Sequence, residues 1–162
     1  MTSKPRVVDR LMARLLRVRW LMRLPIPLYR ASLGWIFGDR LVMIEHRGRT
    51  SGERRFVVVE VIGMERNAVR VASGFGRKSQ WYRNLAANGV AFLSVGRYRR
   101  VRAQPRLLDP AASATVLAAY AAAHPEAWSH LRAAMEALQG GEPDIPVVEF
   151  GPPSGGTGIE AD

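Results

Sequence analysis

Three short stretches hold residue types that can do chemistry. The first is Gly48-Arg49-Thr50-Ser51-Gly52, followed by Arg54 and Arg55. Glycines let backbone N–H groups converge on one point, Ser51 adds a hydroxyl donor, and the three arginines supply forked guanidinium donors. That is a donor set for an anion, although on this motif alone a polar hairpin turn with solvated arginines is the better reading. The second is Ser73-Gly74-Phe75-Gly76-Arg77-Lys78-Ser79, which runs into a segment of helical character. A small glycine-bearing loop at a helix N-terminus suits phosphate. It is neither a dinucleotide-binding fingerprint, since position 79 is Ser, nor a Walker loop. The third is Trp81-Tyr82-Arg83-Asn84-Leu85-Ala86-Ala87-Asn88, in which Trp81 and Leu85, four apart, share a helix face and read as core.

Other chemistries are poorly supplied. The absence of cysteine excludes disulfides, thiolate zinc sites and cysteine nucleophiles. Three histidines, His46, His124 and His130, are too few for a histidine metal cluster, and no metal site is expected.

The elements that must position these stretches follow from pattern. Residues 41–47 read as a strand, 54–62 as a second, β-branched strand, and 68–72 as a third, with turns at 48–52 and 63–67. Residues 78–88 suit a short helix stopped at Asn88-Gly89. A hairpin of 90–95 and 98–107 turns at Gly96-Arg97. Asp109 caps a helix that has Pro110 in its first turn and runs to about Ala123; Pro125 opens another to about Leu138. Ile145 to Phe150 forms the last strand. Helices inserted among antiparallel strands disfavour a doubly wound sheet. The expected fold is α+β: a small split β-barrel of about six mostly antiparallel strands with peripheral helices. The expected organisation is an N-terminal helical segment over 1–40, a barrel domain over 41–150 and a disordered tail over 151–162.

The 162 residues carry a net charge of +10, unevenly spread. Residues 1–40 hold nine Lys/Arg against two Asp/Glu, residues 41–108 fourteen against four, and residues 109–162 one against eight. A hydrophobic share of 48% excludes a disordered chain. Residues 4–23 read as an amphipathic helix, with Val7, Val8, Leu11, Met12, Leu15, Val18 and Met22 on one side and Arg6, Arg10, Arg14 and Arg17 on the other. Such a helix lies in an anionic membrane interface or packs on the domain or a second subunit. Pro25 and Pro27 end it, and residues 28–37 form a short apolar helical segment. With no long apolar stretch and no signal-peptide core, the expected location is the cytoplasm, peripheral at the inner face of the membrane. Arg97, Arg99, Arg100 and Arg102 alone do not make a nucleic-acid motif, and no specific nucleic-acid partner is expected.

Taken together, Gly-Arg-x-Ser-Gly, a Ser/Gly loop about twenty residues on, and Trp-Tyr-x-Asn-Leu-x-Ala-Asn resemble the deazaflavin-dependent nitroreductase family over roughly residues 41–150. The resemblance implies a split β-barrel of the flavin-reductase type that binds the deazaflavin coenzyme F420, with FMN a lesser candidate. It implies hydride transfer to a quinone, nitro compound or other unsaturated acceptor. Some members associate with membranes, and split barrels often dimerise, so a homodimer is a further expectation. By position, Arg49, Ser51, Gly52 and Arg55 would meet the coenzyme's anionic tail. Ser73, Gly74, Gly76 and Lys78 would line its phosphate and ring, and Trp81 and Tyr82 would hold loop and helix in place. The loop is about one residue shorter than in the family and lacks its proline. The family's tyrosines before the last strand are replaced by His124-Pro125-Glu126-Ala127-Trp128-Ser129-His130, leaving His124, His130 and Tyr120 as weak candidates for a proton donor. The missing tyrosines keep an alternative open: a non-catalytic barrel that binds a lipid, flavin or haem at the membrane surface.

Overall fold

The computed structural model describes residues 25–31, 33–65 and 67–151. The helix expected over 4–23 lies outside the described residues; of the tail expected over 151–162, Gly151 alone is described, as the end of a strand.

Alternation of apolar residues builds the strands. In β1 (Leu41–Arg47), Val42, Ile44 and His46 share one face, while Met43 and Glu45 share the other. β2 (Arg54–Glu65) turns Val57, Val59 and Val61 inward and Phe56 and Val58 outward. With β3 (Ala68–Ala72), β4 (Ala91–Val95), β5 (Tyr98–Leu107) and β6 (Val147–Gly151), these strands close a barrel in the order β1-β2-β3-β6-β5-β4. Every neighbouring pair is antiparallel. Closure leaves no open sheet edge. Val42, Ile44, Val59, Val71, Leu93, Val148 and Phe150 fill the interior. The fold is the small α+β barrel expected from the pattern.

Four α-helices are described. α1 (Pro25–Arg30) and the 3-10 turn Gly34–Phe37 cover the outer face of β1 and β2 through Tyr29, which packs with Met43 and Val58. α2 (Gln80–Asn88) inserts Trp81, Tyr82 and Leu85 into the barrel core and ends at Gly89 in the left-handed conformation. α3 (Pro110–Ala123) is capped by the Asp109 carboxylate, which accepts from the Ala112 N–H. α4 (Pro125–Gln139) returns alongside it. The pair packs Tyr120, Leu117, Trp128 and Leu131 over Ile62, Leu108 and Val147. No described helix is long and apolar enough to cross a membrane.

Several boundaries differ from expectation. Pro25 and Pro27 occupy the first turn of α1, where a missing N–H costs nothing. The single segment expected over 28–37 is two, because Gly34 is pressed onto the Tyr29 ring and the chain must turn there. β2 runs on to Glu65 past a register shift at Val61/Gly63, which shortens the turn. α2 starts at Gln80 rather than 78. Ser79 is extended, and Gly76–Lys78 form a separate 3-10 turn, so Lys78 is not in the α-helix. β6 starts at Val147, after Pro146, whose carbonyl accepts from the Ser73 N–H at 2.9 Å.

Candidate functional site

The β1–β2 turn and the loop between β3 and α2 meet at one end of the barrel. Between them opens a cleft of about 1270 Å³, larger than an ordinary small-molecule pocket of roughly 300–1,000 Å³. Both glycine-bearing stretches singled out in the sequence line it. Gly48, Arg49, Ser51 and Arg55 come from one side; Gly76, Arg77, Lys78 and Trp81 come from the other. Phe56, Val57 and Ile26 add apolar wall, and Gln139, Glu142 and Asp144 close the far side.

The turn geometry explains its glycines. A Cβ on Gly48 would stand 2.6 Å from the Ser51 hydroxyl, so only glycine lets that hydroxyl approach. Gly76 has φ +68 and lies 3.1 Å, measured from a Cβ position, from the Asp144 carbonyl, so the loop crosses the 144 segment at close range. Under the loop, the buried Ser73 hydroxyl donates to the Gly76 carbonyl at 2.8 Å and pairs with the Ser79 hydroxyl.

A stripe of amides on α2 holds the β1–β2 turn against the helix. Gln80, Asn84 and Asn88 are spaced four apart and share a face. Asn84 is buried; its Oδ1 accepts from the Arg49 backbone N–H at 3.2 Å and from Arg49 Nη1 at 2.9 Å. Gln80 Oε1 accepts from the same Nη1 at 2.9 Å, and Asn88 Nδ2 donates to the Arg47 carbonyl at 2.9 Å. The Asn84 amide N–H donates toward His46 Nδ1 at 3.2 Å. Burial pushes the His46 imidazole down to about 4, with the nearby Arg55 charge adding to the effect and the Arg47 backbone opposing it. His46 is therefore a neutral imidazole in the cleft wall at neutral pH.

The cations of the cleft differ in how they are engaged. Arg55 pairs with Glu53 at 2.8 Å and Arg77 with Asp144 at 3.2 Å. Lys78 is exposed and has no ion-pair partner among the described residues. Arg49 gives its guanidinium to neutral amide oxygens and so keeps its full charge.

The remaining residues picked from sequence stand elsewhere. Gly52 shapes the turn with φ +69 and does not line the cleft. Gly74 packs against Met135 of α4. Tyr82 is buried in the barrel core, and burial raises its phenol. Tyr120 lies under the α3–α4 pair, where its hydroxyl donates to Glu60 at 3.0 Å. His124 and His130 are exposed at the start and on the surface of α4. None of these last three borders the cleft. Sequence reasoning missed His46, Gln80, Asn84 and Asp144. The Gln80/Asn84/Asn88 spacing was the available signal for two of them.

No family model matches the chain, and no curated protein matches it. Solved structures do. A structure of an F420-H2 dependent reductase is 19% identical, covering 70% of this chain and 95% of that one at a TM-score of 0.51. A chain described as a domain-swapped dimer is 19% identical, covering 70% and 81% at 0.53. HutZ, a haem storage protein of Vibrio cholerae, is 13% identical, covering 75% and 87% at 0.51. At such identities the likeness establishes a shared fold, the split β-barrel.

Proposed function

We propose that the cleft binds a deazaflavin coenzyme of the F420 type, and that the protein transfers a hydride between this coenzyme and an unsaturated acceptor such as a quinone or nitro compound. The observation that carries the reading is the convergence of two sequence-distant glycine-bearing loops, both rich in cations, on one cofactor-sized cleft. The residues present fit such a group. Arg49, Arg55 and Lys78, with the Ser51 hydroxyl, would hold the phosphate and carboxylates of its tail. Phe56, Val57 and Trp81 offer apolar surface for the ring system. The coenzyme, when bound, supplies the hydride chemistry; the chain's residues bind it, orient it and keep water from one side of it. The resemblance of the three sequence stretches to the nitroreductase family and the fold shared with an F420-H2 dependent reductase both support this reading.

The test is a fluorescence titration of the full chain with oxidised and reduced coenzyme F420, with FMN as competitor. Saturable binding in the micromolar range or tighter is expected. Affinity no better than high micromolar for either form would overturn the proposal. A second reading, a barrel that stores flavin or haem without turnover, is favoured by the His46 imidazole in the cleft wall and by the fold shared with HutZ. Absorbance and mass spectrometry of ligand extracted from the purified protein separate the two. Homodimerisation, supported by the domain-swapped dimer of the same fold, is tested by sedimentation.

A further inference from the structure

His46 is a buried polar residue at the mouth of the barrel. It shares the inner face of β1 with Val42 and Ile44 and stands opposite Arg55 of β2. The residue is only 5% exposed, yet it lines the cleft together with Val57 and Trp81.

Hydrogen-bond polarity fixes where its proton sits. A backbone N–H and a guanidinium N–H can only donate, so the Asn84 atom that meets both of these on Arg49 is the amide oxygen. The other end of that amide, Nδ2, therefore carries the hydrogens, and it faces His46 Nδ1 at 3.2 Å. Nδ1 must accept, because two donors cannot pair. In a neutral imidazole the remaining nitrogen, Nε2, then holds the proton.

That N–H has an open side. The Arg47 carbonyl beside the ring already accepts from Asn88 Nδ2 at 2.9 Å, and no hydrogen bond joins Nε2 to a described residue. Every sealed side-chain nitrogen and oxygen among the described residues has a partner. An unpartnered Nε2 is therefore not sealed, and it opens onto the cleft that His46 lines.

The surroundings select what the N–H meets. Arg49 and Arg55 on the same side of the cleft are donors as well, so a ligand atom among them must accept. Val57 and the Trp81 ring are apolar, and a neutral N–H returns little of the hydration that an ionised group gives up against them. A neutral acceptor suits this position, while phosphate and carboxylates suit the exposed cations, Lys78 above all.

We infer that His46 is a specificity-determining residue of the cleft: its Nε2–H donates to a ring carbonyl of the ligand. The inference rests on the coenzyme reading of the cleft, since a deazaflavin ring carries such carbonyls. Ligation of iron through Nε2 needs the opposite arrangement, a bare nitrogen.

The experiment is the nitrogen-15 spectrum of the histidine-labelled full chain at neutral pH, with His46 assigned by its loss in His46→Gln. Nδ1 should be pyridine-like and Nε2 pyrrole-like. In Asn84→Asp the partner becomes an acceptor, and Nδ1 should gain a proton. Addition of oxidised coenzyme F420 to the parent should shift the Nε2–H resonance, and His46→Phe should bind the coenzyme roughly fivefold more weakly. Absence of coenzyme binding by the parent would overturn the proposed function and this assignment with it. Four results would overturn the assignment alone: a bare Nε2 in the free protein, an Nδ1 still bare in Asn84→Asp, coenzyme binding that leaves the Nε2–H resonance unmoved, or undiminished coenzyme affinity in a folded His46→Phe. Haem added to the protein and bound through Nε2 would overturn it as well.

Discussion

Arg49 is held twice by Asn84: its backbone N–H and its guanidinium Nη1 both donate to the Asn84 Oδ1, at 3.2 and 2.9 Å. One buried amide on α2 thus fixes both the path of the β1–β2 turn and the direction of its leading cation.

Asn84→Ala should therefore act on two readouts. It leaves the Arg49 N–H and His46 without their partner, and buried groups in that state cost about 1–3 kcal/mol in stability. It also frees Arg49 from its pose, so affinity for an anionic ligand of the cleft should fall roughly tenfold. Chemical denaturation and ligand titration of the same variant check both. An unchanged ligand affinity in a variant that has lost stability would mean that Arg49 does not point at the ligand.

His46 gives a pH dependence with a definite sign. In the unfolded chain the imidazole protonates near its ordinary value of 6.5; in the folded protein burial delays this to about 4. Between these values the unfolded state binds more protons, so stability falls as pH drops from 6.5 to 4, by up to about 3 kcal/mol. Glu45 and Glu149 are held low by their arginine partners, which outweigh burial. Their stabilisation is therefore lost as pH falls through the ordinary carboxylate range towards their lowered values, and loss beginning above pH 5 belongs to His46. His46→Gln keeps an acceptor for Asn84 and should flatten the curve between pH 5 and 6.5 in equilibrium unfolding.

How much of this was legible depends on distance along the chain. β1, β3 and β5 have the bounds expected from the sequence, because short apolar runs between glycine-bearing turns are a local signal. The Asp109 cap and the Gly89 stop are equally local. The two anion-suited loops were visible as residue types, but their meeting was not, since it depends on how the barrel closes. His46 reads as an ordinary strand residue until Asn84, thirty-eight positions on, is brought against it. Tyr120, His124 and His130 stand out in the sequence by residue type and by their place before the last strand, but α3 and α4 carry them to the other side of β2 and β6, where Tyr120 meets Glu60.

Glu45 is the case in which a charge faces out of the barrel and is nevertheless buried. Its oxygens accept from Arg54 at 2.8 and 3.0 Å and from Arg100 at 3.0 and 3.2 Å, tying β1 to β2 and to β5. Arg100 sits over the Phe92 ring and has φ +49, a conformation unfavourable for a side chain of that size. Its N–H to Ser94 and its ion pair with Glu45 hold it there. Glu45→Gln preserves shape and removes the charge. Both guanidiniums are half-exposed and regain water, so the loss should be modest, about 1–3 kcal/mol. Urea denaturation checks it, and ligand affinity should not change, because Glu45 does not line the cleft.

Asp144 opposes the cations of the cleft. Its carboxylate pairs with the Arg77 guanidinium at 3.2 Å and also accepts from the Arg77 N–H at 3.4 Å. An anion entering between the loops meets Lys78 and Arg49 with their charges available, but Arg77 already engaged. Asp144→Asn keeps an acceptor for the Arg77 N–H and releases one positive charge into the cleft. It should tighten binding of an anionic ligand about threefold at low salt, and the gain should shrink as salt rises, since half-exposed charges are screened. Lys78→Ala should weaken binding by a similar factor with the same salt dependence. Isothermal titration at two ionic strengths measures both. If Asp144→Asn weakened binding instead, Asp144 would be contacting the ligand as an acceptor, and the anionic part of the ligand would have to lie on the Arg49 side of the cleft alone.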